Sequence, residues 1–423
     1  MKSYRKVSLI LFLSLAAGSV FGCSGGEEAE SVKNPYATAV SMEGTPVVDY
    51  VVPRLLPNIL VDTEGYAVGD NKTAAVKGRN LPEEFRLVDA DTGETVYTGF
   101  IEDVTPYEES DLLSGVTDFT DFNTEGNYYL ECDIVGQSRR FVIQKKLYEQ
   151  LFLENYEQIL ESCRNRGLSL SEVATLLVTY EWYTSVFPDE DRDQLSDVLK
   201  ELKGWVAYTE ENGVDSGEEA LYAALLAKFS YLYQKYDLEY ATDCLKRAST
   251  VYGQVQNSIN KDADSFFALT ELYRATGLYT YRKQIEDYKS FFENNSSYLA
   301  ERSCLYAAMT YMVTRQRVDV ELCTAFMENL MDRAEEISKR YVDMIDPVTA
   351  KNNGSEDLLQ CAVELSCANY IMNNYQYTRI MEEFLHYLMG QNLESVSFYE
   401  SDESRVDYML LLAQLAVNHE EKE

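Results

Sequence analysis

The pattern of apolar and polar residues changes near residue 146. Between residues 58 and 143, short apolar runs alternate with turns rich in Gly and Asp, which predicts short β-strands. After Lys146, apolar residues recur with the i, i+3, i+4, i+7 spacing of amphipathic α-helices. The chain is therefore expected to be a multidomain β + α protein, with a β-region followed by an all-helical region.

Short strands with frequent turns over about 90 residues predict a small β-sandwich. Its recognisable strands are residues 59–61, 74–76, 85–88, 95–97, 128–132 and 141–143.

The helical region contains about twelve amphipathic segments, which would pair into six hairpins. The clearest are residues 147–160, 170–187, 220–236, 265–275 and 358–372. An open solenoid of hairpins and a closed ring both fit this count. No fixed period of about 34 residues is present, which weighs against the solenoid.

The N-terminus carries the pattern of a targeting segment. Lys2, Arg5 and Lys6 precede a short apolar run that is too short to span a bilayer. Gly22-Cys23 at its end resembles the lipobox of bacterial lipoproteins, in which the cysteine is lipidated; a plain secretory signal with an accidental cysteine is the alternative. We expect a signal peptide over residues 1–22 and a flexible tether over residues 23–54.

Composition excludes several functions. The 71 Asp and Glu outnumber the 37 Lys and Arg, and a net charge of −34 would repel nucleic acid. Removing residues 1–22 changes the charge to −37, so a lipid at Cys23 would be the only membrane anchor. Two histidines leave little imidazole for zinc sites or His-based catalysis, so carboxylate chemistry is expected.

Two residue types are better explained by packing than by chemistry. Apart from Cys23, seven cysteines are scattered through apolar patterns without a CxxC pair, which favours buried thiols over a disulfide framework. The 33 tyrosines are expected to fill the core and hairpin contacts, although a sugar-binding platform remains open.

Several motifs resemble family 9 glycoside hydrolases. In the β-region they are Asn58-Ile-Leu-Val-Asp62 with Gly65-Tyr66 and Lys72, Phe122-Asn-Thr-Glu-Gly126-Asn-Tyr-Tyr-Leu130, and Ser138-Arg-Arg-Phe141; in the helical region they are Glu271-Leu-Tyr-Arg-Ala-Thr-Gly277, Tyr387-Leu-Met-Gly390-Gln-Asn392 and Ser397-Phe398. The resemblance implies an immunoglobulin-like cellulase N-terminal domain over residues 55–145 and an all-α (α/α)6 toroid over residues 146–423.

The resemblance also implies an inverting mechanism, in which one carboxyl protonates the leaving oxygen and a second carboxylate activates water. Glu403, four residues before Asp407-Tyr408, matches the position of the general acid. A first-turn Glu stabilised by the helix dipole is the alternative interpretation. No base was found, because Cys163-Arg-Asn-Arg-Gly167 leads directly into the next helix where the family carries Asp-Ala-Gly-Asp.

Other carboxylates at hairpin ends are more typical of caps and solvated faces than of a replacement base. They are Asp189, Glu190, Asp191, Asp215, Glu218 and Glu219. The loop expected after Ser397-Phe398 is also missing, and Asn392 is followed by Leu393 instead of the family's Pro.

These observations predict a lipid-anchored, extracytoplasmic bacterial protein that binds or scaffolds polysaccharide or oligosaccharide and is catalytically degenerate. An active inverting hydrolase with a relocated base and a protein-interaction module are the alternatives. No cofactor or metal site is predicted from the residues; the family resemblance makes calcium conceivable, but no EF-hand-like spacing is present.

Overall fold

The computed structural model describes residues 57–106, 111–188, 195–256, 262–294, 297–341, 354–398 and 404–420. All of them belong to the unit Leu55–Glu423. The predicted signal peptide, Cys23 and the tether up to residue 54 precede this unit and lie outside the described residues. The candidate acid Glu403 also lies outside the described residues.

The β-region forms the expected sandwich. Its strands are β1 Ile59–Leu60, β2 Tyr66–Ala67, β3 Thr73–Gly78, β4 Glu84–Asp89, β5 Thr95–Pro106, β6 Leu113–Asp118, β7 Gly126–Cys132, β8 Gly136–Gln137 and β9 Phe141–Gln144. The strand order is β1-β3-β6-β5-β4-β7-β9-β2, with β8 added to β7. All pairs are antiparallel except β2 with β9.

Strand β5 joins the two sheets of the sandwich. Its first half, from Thr95 to Phe100, pairs with β4, and its second half, from Ile101 to Pro106, pairs with β6. Apolar residues of both sheets, including Val76 from one sheet and Phe85 and Leu130 from the other, are buried between them. The sandwich therefore has a core of its own.

Thirteen α-helices follow in the described residues. They are α1 Leu147–Arg164, α2 Leu170–Trp182, α3 Asp197–Asn212, α4 Glu219–Tyr233, α5 Leu238–Val255, α6 Ala263–Thr276, α7 Tyr279–Glu286, α8 Lys289–Asn294, α9 Arg302–Val313, α10 Val320–Tyr341, α11 Ser355–Ile371, α12 Tyr375–Leu388 and α13 Arg405–Glu420. Short 3₁₀ turns span Thr184–Val186 and Tyr298–Ala300.

The helices form a closed ring of six hairpins. The inner helices are α2, α4, α6, α9, α11 and α13, and α13 packs back on α2 to close the ring. The outer positions are taken by α1, α3, α5, the pair α7 and α8, α10 and α12. Because every inner helix follows an outer one, all inner helices run in the same direction, with their N-termini at one end, which we call the ring mouth.

Local sequence signals set the bounds of the inner helices. At α2, Ser169 and Glu172 form a reciprocal capping box. At α6, the Asp262 side chain accepts a hydrogen bond from Ser265 N, and Gly277 ends the helix in the left-handed conformation with φ +66°. Gly277 tolerates this φ because it lacks a Cβ.

Inner helices α2, α4 and α6 bury a charged cluster near their C-terminal ends. It consists of Glu181, Lys228, Glu271 and Arg274, which we call the ring network. Lys228 bonds to both glutamates, Arg274 also bonds to both, and Thr310 Oγ1 donates to Glu271 at 2.8 Å. Lys228 and Glu271 are fully buried. Each charge therefore faces an opposite charge, as buried ions require.

The sandwich docks on α1, α12 and α13 through a second buried polar cluster. It consists of Asp62, Asp70, Glu382, His386 and His419, which we call the interface cluster. Asp62 Oδ2 lies 2.8 Å from His386 Nδ1, and Tyr148 OH donates to Asp70 Oδ2 at 2.5 Å. The two domains therefore share a polar contact that contains residues from both.

Gly390 shows how closely the two domains approach. Its φ is +123°, and a Cβ at this position would lie 2.9 Å from Thr63 Cγ2. Thr63 in turn donates its N–H and its hydroxyl to Met389 O, at 3.0 and 2.6 Å. Only glycine fits this contact.

The described cysteines outside the N-terminal segment, seven in number, are all free thiols, and only Cys323 is not fully buried. Burial raises the pKa of the Cys163 thiol to about 12, so it is inert at neutral pH. Across the described part of the chain, no helix combines the length and apolar character needed to cross a membrane.

Candidate functional site

The ring mouth contains a polar pocket of about 340 Å³. Its lining comes from the first two turns of four inner helices and the segment before α9: Ser171, Glu172, Thr175, Ala300, Arg302, Gln360, Val406 and Asp407. The volume lies within the usual range for small-molecule sites, and hydroxyls, amides and charges predominate over apolar groups.

Arg302 and Asp407 form the centre of this pocket. The Arg302 guanidinium contacts both carboxylate oxygens of Asp407, with Nη1–Oδ1 at 2.5 Å and Nη2–Oδ2 at 3.1 Å. Gln360 Oε1 accepts a further bond from Arg302 Nη2 at 2.6 Å. Burial opposes the charge on Arg302, but Tyr306 and Asp407 raise the pKa of Arg302 above its ordinary value. The Arg302 guanidinium is therefore held charged and in a fixed orientation.

The family's base loop would lie in the connection between α1 and α2, which comprises only residues 165–169. This connection contains Asn165, Arg166, Gly167, Leu168 and Ser169, and so has no carboxylate. The nearest acidic residue is Glu172, whose Oε2 accepts hydrogen bonds from Ser169 N at 2.7 Å and from Ser169 Oγ at 2.6 Å. Glu172 therefore acts as part of a helix cap at the edge of the pocket.

One more carboxylate lies at the same end of the ring, in the first turn of α6. Asp264 accepts a hydrogen bond from Ser303 Oγ at 2.6 Å, and burial raises its pKa. It does not line the pocket around Arg302.

The other predicted carboxylates are either outside the described residues or at the surface. Asp189, Glu190 and Asp191 lie outside, as Glu403 does. Asp215 and Glu218 are exposed in the connection before α4, and Glu219 Oε2 accepts from Gly217 N at 2.8 Å as part of a turn. None of these three lines the pocket around Arg302.

Two motifs that suggested the family resemblance have structural roles. Asn392 Nδ2 donates to Tyr387 O and Val396 O, both at 2.7 Å, and so folds the segment after α12. Glu271 and Arg274, from the Glu-Leu-Tyr-Arg motif, belong to the ring network. These residues hold the fold together, and none of them lines the pocket around Arg302.

Most of the tyrosines among the described residues pack inside the protein. Tyr66, Tyr156, Tyr306, Tyr311 and Tyr408 are among the largest fully buried side chains. None of the residues that line the pocket around Arg302 is aromatic. Tyr279 and Tyr375 are exposed, at 68% and 66%, but they lie at the starts of outer helices.

Sequence reasoning did not single out Arg302, Gln360 or Thr175. Arg302 lies 58 residues from Gln360 and 127 residues from Thr175 in sequence, and no motif marks them. Arg302 is the first residue of α9 and Gln360 lies in the second turn of α11. The only available signal was their position at the start of inner helices, which becomes meaningful once the ring is closed.

Two family models match the chain. The model of the cellulase N-terminal ig-like domain matches residues 56–137, and that of glycosyl hydrolase family 9 matches residues 182–401, which is 220 of the 423 residues. No match was found among curated proteins.

Solved structures share the fold at low sequence identity. A metagenome-derived glycoside hydrolase family 9 endoglucanase is 14% identical with a TM-score of 0.68, and covers 85% of this chain and 98% of its own. A family 9 protein from Bacteroides ovatus is 14% identical with a TM-score of 0.66, at 86% and 99% coverage. A single mutant of a thermostable endoglucanase from Alicyclobacillus acidocaldarius is 15% identical with a TM-score of 0.64, at 81% and 84% coverage.

The β-sandwich, the ring of six hairpins and the two matched family models agree with one another and with the motifs read from the sequence. The model of the helical domain alone spans more than half of the chain. The chain belongs to glycosyl hydrolase family 9.

Proposed function

We propose that this chain binds a β-glucan or a related oligosaccharide at the ring mouth and does not hydrolyse it efficiently. Glycans fit because two of the similar solved structures, the metagenome-derived one and the one from Alicyclobacillus acidocaldarius, are endoglucanases. The pocket around Arg302 supports the proposal, since its guanidinium, carboxylate, amide and hydroxyl groups can all pair with sugar hydroxyls.

The observation that carries the loss of turnover is the connection between α1 and α2. It has five residues and no carboxylate. Without a group that deprotonates water, the inverting reaction would lose a factor of about 10²–10⁴. Both oxygens of Asp407 already contact Arg302, which makes Asp407 a poor replacement for the base.

The proposal includes the predicted location. With a lipid at Cys23 and a tether up to residue 54, the binding domain would be held at the outer face of a bacterial membrane. Labelling cells with a fatty-acid analogue and comparing the wild type with Cys23→Ser tests this part separately. Equal labelling of the two would refute the anchor and leave the glycan proposal standing.

Turnover is tested on purified residues 24–423 with soluble β-glucans, by the release of reducing ends. We expect no release above background. Release that disappears in Glu403→Gln would overturn the proposal and establish an active hydrolase.

Binding is tested by calorimetry with β-glucan oligosaccharides. We expect saturable binding that is weakened in Gln360→Ala, because Gln360 lines the pocket and orients Arg302. The matched control is Gln234→Ala, at an exposed glutamine beyond the C-terminal end of α4. Absence of binding, or equal loss in both variants, would contradict the proposal. Recovery of a protein partner in its place would favour the interaction-module alternative.

An active hydrolase with a relocated base is the second candidate. The observation in its favour is that Glu172 and Asp407 line the same pocket. In that case activity would disappear in Glu172→Gln as well as in Glu403→Gln, and Glu211→Gln, at an exposed glutamate near the C-terminal end of α3, would retain it.

A further inference from the structure

The chain has only two histidines, and both lie in the interface cluster. His386 is on α12 and His419 is near the end of α13, with side-chain exposures of 1% and 10%. Asp62 and Asp70 come from the sandwich, more than 300 residues away in sequence. The fold therefore brings both imidazoles of the protein next to buried carboxylates.

Three of these residues have the spacing of a metal site. One ligand atom each from Asp70, Glu382 and His419 lies within 4.8 Å of the other two. His419 Nε2 is 2.9 Å from Glu382 Oε1 and 3.7 Å from Asp70 Oδ1. Two ligands of a tetrahedral zinc, each at about 2.1 Å, are about 3.4 Å apart. The two distances from His419 Nε2 lie within about half an ångström of that separation.

Two atoms of the cluster are buried without a hydrogen-bond partner. They are Asp70 Oδ1 and His386 Nε2, on side chains that are 0% and 1% exposed. Buried polar atoms normally have a partner, so two in one cluster indicate a missing ligand. Asp70 Oδ1 is one of the atoms that face His419, and His386 Nε2 is 3.5 Å from Asp70 Oδ2.

Neighbouring groups orient these atoms as they do in known metal sites. Tyr148 OH holds the other oxygen of Asp70. Asp62 Oδ2 accepts from His386 Nδ1, and Asp62 Oδ1 accepts from Glu64 N and Gly65 N. In the neutral imidazole, Nδ1 donates to the carboxylate and the lone pair remains on Nε2, as in the carboxylate–histidine–zinc arrangement, so metal binding at Nε2 would displace the proton that the imidazolium carries there.

We propose that the interface cluster binds one zinc ion through Asp70, Glu382 and His419, with His386 Nε2 at the fourth position. The ion would join the sandwich to α12 and α13. Mixed imidazole and carboxylate ligands suit Zn²⁺, whereas Ca²⁺ takes oxygen ligands in larger numbers. The partial exposure of His419 provides a route for entry.

The test uses purified residues 24–423, stripped with a chelator and then loaded with ZnCl₂. After gel filtration, elemental analysis should find one zinc per chain, and thermal unfolding should move to higher temperature in proportion to the logarithm of free zinc. A chain that retains no zinc at micromolar concentration and shows no thermal shift would overturn the proposal.

Glu382→Gln is the central variant, and Glu383→Gln is its matched control. Both residues lie on α12 at the domain interface, but Glu383 contacts Asn71 and Arg379 and is not one of the three ligands. We expect zinc affinity to fall by about 100-fold or more in Glu382→Gln. In Glu383→Gln it should fall by less than about tenfold, because Glu383 is only a neighbour of the ligands. Equal affinity in the two variants would refute the assignment.

His419→Gln provides a second variant at the protein edge, where folding is least affected. It should also lose zinc. Cobalt loading distinguishes this site from the cysteines, because a thiolate ligand adds a near-ultraviolet charge-transfer band. We expect visible bands without that feature in the wild type, and their loss in His419→Gln. A thiolate band would assign the metal to cysteine and overturn the proposal.

Discussion

The ring network and the interface cluster both bury several charged side chains, but the cations differ in kind. In the ring network, Glu181 and Glu271 face Lys228 and Arg274, so two carboxylates meet two permanent cations. In the interface cluster, three carboxylates meet two histidines, whose charge depends on protons.

The two clusters also differ in their pKa shifts. Burial alone would raise the pKa of Glu181, but Lys228 and Arg274 lower it to about 2. In the interface cluster, burial opposes the charge of His386, yet Asp70 and Asp62 raise its pKa to about 9. The charges of the ring network thus neutralise one another, whereas the charge balance of the interface cluster depends on protons or on a metal.

Breaking the ring network should have the largest effect on stability. Lys228→Met would leave Arg274 as the only cation that contacts Glu181 and Glu271. Loss of one partner from a buried ion network costs about 3–5 kcal/mol. Denaturant unfolding measures the change. The control is Lys200→Met, in a pair with Asp197 that is about half exposed, where little change is expected. Similar losses in the two variants would show that the ring network contributes nothing special.

Breaking the interface cluster should lower the free energy of unfolding by less, because the carboxylate of Asp62 keeps other hydrogen-bond partners. In His386→Leu, Asp62 would lose one hydrogen bond but retain those from Glu64 N and Gly65 N, for an expected cost of about 1–3 kcal/mol. The measurement is denaturant unfolding in the presence of a chelator, so that no metal contributes. A loss larger than that of Lys228→Met would reverse the comparison.

The two clusters should respond to opposite ends of the pH scale. His386 has a folded-state pKa above its unfolded value of about 6.5, so its contribution to stability is complete below that pH and is lost as pH rises through about 9. For each proton involved, the slope is at most about 1.4 kcal/mol per pH unit. Unfolding curves in chelator at pH 6, 8 and 10 test this, and His386→Leu should flatten the dependence.

Glu181 gives the opposite sign. Its folded-state pKa lies below its unfolded value of about 4.3, so its contribution is complete above that value and is lost as pH falls towards about 2. Unfolding curves between pH 5 and pH 3 measure the loss, and Glu181→Gln should reduce it. If that variant lost as much stability between pH 5 and pH 3 as the wild type, Glu181 would be excluded as the source of the loss.

The smallest effect is expected at the ring mouth. Asp407→Asn would weaken a pair whose two side chains are 22% and 25% exposed, and such partly solvated pairs contribute about 1 kcal/mol or less. Thermal unfolding measures the stability change, and calorimetry with oligosaccharide measures binding. A stability loss equal to that of Lys228→Met would show that Arg302 and Asp407 are part of the core of the ring.

The local sequence predicted most of the main helices and strands, and the elements that it did not predict have physical causes. The clearest helices were found within a few residues, because their apolar spacing and caps are local. Strand β6, Leu113–Asp118, was missed: Ser114 and Gly115 interrupt the apolar pattern, although both are buried between β3 and β5. Its place in the sheet comes from its neighbours.

The candidate sites were less predictable. The lack of a carboxylate between α1 and α2 was visible in the sequence, because it concerns five consecutive residues between two clear helical patterns. The expectation that two histidines leave little imidazole for a zinc site rested on the number of histidines and not on their positions. The fold places both imidazoles beside Asp70 and Glu382.

By itself, the sequence determined the order of the two domains, the type of their main elements and the motifs that mark family 9. These depend on apolar spacing, caps and turns within about 20 residues. Only the tertiary structure decided which charged residues meet. Arg302 reaches Asp407 across 105 residues and Asp62 reaches His386 across 324, because closing the ring and docking the sandwich bring together side chains that no local pattern relates.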